Sequence, residues 1–154
     1  MSSTSRTALA ALTLLAATAS GITHAEVYTK ESLIKANKQD AGGGKGTLMG
    51  EYAFTRDMPK KDEAIKEISW LTLKPGDSIG YHKHINNEDT YIIISGTGIF
   101  KDKDGKEVPV KAGDVTIVRK GESHGLTATG TAPKGSVDVI RERENNINNR
   151  TESF

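Results

Sequence analysis

A chain of 154 residues with a formal net charge of +1 suits a single domain and offers no strong electrostatic case for nucleic acid or an anionic membrane. It contains no cysteine, which excludes disulfides and thiolate metal sites and leaves nitrogen and oxygen donors for any metal. Sixteen glycines, four prolines and 5% aromatic residues favour short strands joined by glycine turns over a helical bundle.

Residues 1–25 read as a secretory signal peptide. Ser2–Arg6 is short and polar with a single cation, and Thr7–Ala19 is an uncharged run of Ala, Leu and Thr too short to span a bilayer. Gly21 breaks that run, and Thr23-His24-Ala25 supplies small residues ahead of a predicted cut before Glu26. An amphipathic helix would need a polar face, which this stretch lacks. The expected product is exported, periplasmic or secreted, and free of the membrane once the signal is removed.

Residues 26–46 form an N-terminal segment. Glu31–Ala36 is helix-compatible, and Gly42-Gly43-Gly44-Lys45-Gly46 reads as a flexible connector, since β-type sequence follows it and no phosphate-loop pattern is present. The barrel is expected over residues 47–140, where the chain punctuates itself every few residues. Thr47–Thr55 and Ala64–Leu73 read as strands around the polar linker Arg56–Glu63, and Ser78–His84 follows the turn Pro75-Gly76-Asp77. After a second turn at Asn86-Asn87 come Thr90–Ser95 and, past Gly96-Thr97-Gly98, Ile99–Lys101. Asp104-Gly105 marks a hairpin, and Val108–Val110, Val115–Val118, Ser123–Thr127 and Val137–Ile140 complete the set. There is no internal repeat. Residues 141–154 are charged and Asn-rich and read as a frayed tail, whose Asn149-Arg150-Thr151 matches a glycosylation pattern that chance often produces. This is an all-β barrel or sandwich.

Histidine usage points to the chemistry. Beyond His24, the histidines are His82, His84 and His124. His82 and His84 stand two apart on a predicted strand, so both project from one face and can meet one ion at bonds of roughly 2.0–2.2 Å. Glu88 and Asp89 offer carboxylates at the start of the next strand, and His124 opens a later one.

The run Gly76-x5-His82-x-His84-x4-Asp89-x6-Gly96 resembles the first motif of the cupins, with aspartate at the usual glutamate position. Gly113-x5-Arg119-x-Gly121-x2-His124-x3-Ala128 is similar to the second, with arginine for proline and alanine for asparagine. The layout from about Gly42 to Ile140 resembles that of small single-domain bacterial cupins. The resemblance implies a double-stranded β-helix, or jelly-roll barrel, with one divalent metal held by His82, His84, Asp89 and His124. Asp89 is a methylene shorter than glutamate; Glu88 is the alternative ligand, although strand alternation points it away. Tyr91 and Ile93 share parity with Asp89 and are expected to line the cavity, while Ile92 and Ile94 face outward.

Such a ligand set suits Fe, Mn, Ni, Cu or Zn and leaves two positions on a six-coordinate ion for a small molecule. The expected function is a metal-dependent small-molecule enzyme, a dioxygenase-type oxidoreductase ahead of an isomerase or lyase. The alternative is a periplasmic module that captures a ligand or metal without turnover, because this fold hosts both. The resemblance also implies a homodimer, with Ile92 and Ile94 as contact positions.

Overall fold

The computed structural model describes residues 26–130 and the backbone of 137–145. The expected signal peptide and the tail beyond Asn145 lie outside the described residues. Within them run ten strands: β1 (Ile34–Gln39), β2 (Thr47–Phe54), β3 (Ile65–Leu73), β4 (Ser78–Lys83), β5 (Asn87–Ser95), β6 (Thr97–Lys101), β7 (Glu107–Lys111), β8 (Val115–Val118), β9 (Ser123–Ala128) and β10 (Val137–Asn145). No helix among the described residues is long and apolar enough to cross a membrane.

The strands form two antiparallel sheets, one in the order β1-β2-β3-β10-β5-β8 and the other β4-β9-β6-β7. This is the jelly-roll barrel expected from the sequence. Alternation supplies its core. On β3, buried Glu67, Ser69, Leu71 and Leu73 alternate with more accessible Ile68, Trp70 and Thr72. Leu48 and Tyr52 from β2, Tyr91 and Ile93 from β5, and Ile79, Phe100, Val110 and Leu126 from the second sheet join the same cluster. Burying each such side chain stabilises the fold by about 1.5–3 kcal/mol. The β6–β7 hairpin closes as expected at Asp104-Gly105: Gly105 takes φ 79°, and Asp102 Oδ1 accepts hydrogen bonds from the Asp104 and Lys106 amides.

Three expectations differ from the structure. The helix-compatible stretch Glu31–Ala36 becomes a short 3-10 turn at Lys30–Ser32 followed by β1, because pairing Ile34–Gln39 against Tyr52–Thr47 satisfies the backbone better than an isolated turn of helix. The glycine connector is not loose: Ser78 N–H donates to the Lys45 carbonyl at 2.8 Å and Gly46 N–H donates to Asp40 Oδ1 at 3.0 Å. The barrel does not stop at Ile140. Strand β10 continues to Asn145 as a central strand, laddered to β3 on one side and β5 on the other.

Candidate metal centre

Strand β4 carries His82 and leads directly into His84, and an irregularity in it decides where they point. Against β9 its register runs Ile79↔Leu126 and then His82↔His124, so β4 holds one residue more than its partner in this interval. Strict alternation from the core residue Ile79 would send Tyr81 and Lys83 inward. The extra residue, a β-bulge at Gly80–Tyr81, reverses the parity. Tyr81 and Lys83 are exposed, whereas His84 is buried and His82 half-buried on the core side.

Strand β9 brings His124 directly opposite His82, and β5 brings Asp89 across from the other sheet. The four side chains offer donor atoms that all lie within 4.8 Å of one another. His84 Nε2 stands 3.1 Å from His82 Nε2 and 3.0 Å from His124 Nε2, and Asp89 Oδ2 lies 3.6 Å from His84 Nε2 and 3.7 Å from His124 Nε2. Separations of this size are the edges of a coordination shell whose bonds measure roughly 2.0–2.2 Å.

The donor chemistry fits a cation. A cluster of imidazole nitrogens aimed at one point repels itself unless protons or a metal occupy that point. The far nitrogen of His82 is engaged in a way that frees the near one. His82 Nδ1 lies 2.8 Å from the Gly80 carbonyl, which can only accept, so Nδ1 carries the proton and Nε2 presents a lone pair. His84 Nδ1 lies 2.8 Å from the Asn87 side-chain amide. There the Asn87 Nδ2–H donates to His84 Nδ1, and the same nitrogen lies 3.3 Å from the Glu88 carbonyl oxygen. Asp89 adds the anionic oxygen that hard and borderline divalent ions favour.

The sequence places the other residues with mixed success. Glu88 is not brought to the cluster: it sits on the opposite face of β5, where its Oε2 accepts from Arg119 Nη1 at 2.6 Å. Arg119, the departure from the second motif, thus ties the end of β8 to β5, and its amide donates to Glu122 Oε2 at 2.8 Å. Tyr91 lines the site, stacking on His124 with ring centroids 4.8 Å apart and its hydroxyl 3.4 Å from Nε2. Ile93 is buried one step farther in, among the core residues. Phe100 meets His124 edge-on at 5.7 Å and was not singled out from sequence. Neither was Asn87, read there as a turn residue. It is 93% buried, and its signal lay only in standing two positions before Asp89 on the same strand face.

Comparison with known proteins agrees with this geometry. Residues 69–140 match the family model described as the cupin domain. An oxalate-binding protein of Thermotoga maritima is 40% identical over 98 residues, covering 64% of this chain and 78% of that one. A crystal structure from Thermotoga maritima, described as a predicted oxalate decarboxylase, superposes with a TM-score of 0.68 at 28% identity over 78% of this chain and 99% of that one. KdgF from Halomonas shares the fold, with a TM-score of 0.60 at 12% identity over 85% of this chain and all of that one.

Proposed function

The chain belongs to the cupin family, and from that premise we propose that it holds one divalent metal ion through His82, His84, Asp89 and His124 and captures a small oxygenated anion of the oxalate type there. The convergence of three imidazole Nε2 atoms and one carboxylate oxygen carries this reading. Fe, Mn, Ni, Cu and Zn all suit the donors. When bound, the ion supplies a Lewis-acidic centre with open coordination positions.

Charge favours an anionic ligand. A single carboxylate, Asp89, leaves a divalent ion incompletely neutralised in a site where His84, Asp89 and His124 are buried, and an uncompensated buried charge is costly. A small dicarboxylate such as oxalate supplies that charge together with two oxygen donors. The names of two similar proteins, oxalate-binding protein and predicted oxalate decarboxylase, support the same ligand class. Titration calorimetry checks it: one oxalate per chain should bind metal-loaded protein, with no heat from metal-free protein. Equal binding to both forms would contradict the reading.

A second reading, turnover of such a molecule by dioxygenase-type chemistry, draws support from Tyr91, which places a protic hydroxyl beside His124. Oxygen uptake by the iron-loaded protein separates turnover from capture. We further propose export and pairing. Cleavage before Glu26 is checked by the N-terminus of protein recovered from the extracytoplasmic fraction. The second copy would dock on exposed Ile92, Ile94, Val115 and Ile117, an aliphatic patch shared by β5 and the edge strand β8.

A further inference from the structure

The loop Asp40–Gly46 crosses β4 at the bulge that turns the two histidines inward. The crossing is backbone against backbone. A Cβ on Gly44 would lie 2.2 Å from the Ser78 carbonyl oxygen, and one on Gly80 would lie 2.4 Å from both the Gly42 oxygen and the Gly44 nitrogen. No other residue fits at either position. The loop is anchored beside this contact through a doubled link, with Ser78 N–H donating to Lys45 O at 2.8 Å and Lys45 N–H donating to Ser78 Oγ at 2.9 Å. It is also closed on itself, since Asp40 N–H donates to Gly46 O at 2.8 Å.

The loop then reaches a metal-facing side chain. A Cβ on Gly42 would stand 3.1 Å from His82 Nδ1 and 3.3 Å from the Gly80 carbonyl oxygen, the two ends of the 2.8 Å hydrogen bond that sets the His82 tautomer. His82 is the half-buried member of the cluster, so the wall that the loop provides replaces packing that the other ligands find in the core.

We propose that the Asp40–Gly46 loop is a positioning element of the metal centre, clamping the Gly80 bulge and holding the Nδ1–H of His82 on the Gly80 carbonyl so that Nε2 stays aimed at the ion. The proposal rests on the metal-centre reading and adds a task for residues that touch no metal. Gly42 and Gly43 provide an internal control. Both adopt left-handed φ, 61° and 76°, so alanine strains the backbone at either. A Cβ on Gly43 meets nothing within 4 Å, whereas one on Gly42 meets His82.

Cobalt(II) titration of the full mature chain therefore separates strain from positioning. Gly42→Ala should weaken cobalt(II) binding by about tenfold, the effect of disturbing a group that orients a ligand. It should also alter the ligand-field spectrum of the bound ion, while Gly43→Ala keeps wild-type affinity and spectrum. Equal behaviour of the two variants would overturn the loop's role and leave the centre intact. Failure of wild-type protein to bind cobalt(II) would overturn the centre and the loop's role together. If Gly42→Ala does not fold, nitrogen NMR of the metal-free wild-type protein decides. A His82 proton on Nδ1 supports the proposal, and a proton on Nε2 contradicts it.

Discussion

The two faces of β5 depart in part from the ordinary arrangement of a half-buried strand, in which apolar groups go inward and polar groups outward: Ile93 follows it, but Asp89 and Asn87 lie inward and Ile92 and Ile94 outward. Inward, Asn87, Asp89 and Tyr91 are all but excluded from solvent; outward, Ile92 and Ile94 are 41% and 45% exposed. The same departure continues onto β8, where Val115 and Ile117 lie in the open beside Ile92 and Thr90. Burying a carboxylate costs several kcal/mol unless something compensates it, and an exposed aliphatic patch favours being covered. The inner face brings together donors that could hold a cation, and for the outer one the proposed occupant is a second copy of the chain.

Removing an inner-face donor should have the largest effect. His84→Ala or His124→Ala takes away an imidazole for which the described residues hold no substitute, and metal binding should fall below detection in a calorimetric titration. Asp89→Ala should weaken binding by about 100-fold, whereas Glu88→Ala, whose side chain pairs with Arg119 on the other face, should leave it within about twofold. The reverse ranking would exchange the roles of the two faces. Asn87→Ala should cost about tenfold, because it releases His84 Nδ1 without removing a ligand. On the outer face, Ile92→Lys with Ile117→Lys should shift sedimentation from dimer to monomer at micromolar concentration and leave metal content unchanged. Loss of metal in that variant would show that the faces are not independent.

Much of this was legible in the sequence. The strands announce themselves because glycine and Asp-Gly turns separate β-branched runs, and alternation alone sends Asp89 inward and Glu88 outward. The misses have physical causes. His82 and His84 face inward together as read from sequence, but the reason was not legible: alternation counted from Ile79 alone would send them to solvent, the Gly80 bulge turns them in, and a bulge leaves no periodic trace. Strand β1 is nearly all exposed, so it carries no hydrophobic pattern and exists through its ladder with β2. The charged run after Ile140 reads as a tail, yet it is a strand because β3 and β5 both have backbone groups to pair with it. Asn87 looks like a turn residue until its amide is seen against His84.

The most direct test of the metal centre is X-ray absorption on protein loaded with one equivalent of zinc. The account predicts a first shell of three imidazole nitrogens together with oxygen at roughly 2.0–2.2 Å. It also predicts that one imidazole disappears from that shell in His82→Ala. A shell built of oxygen alone, or one unchanged by that substitution, would contradict it.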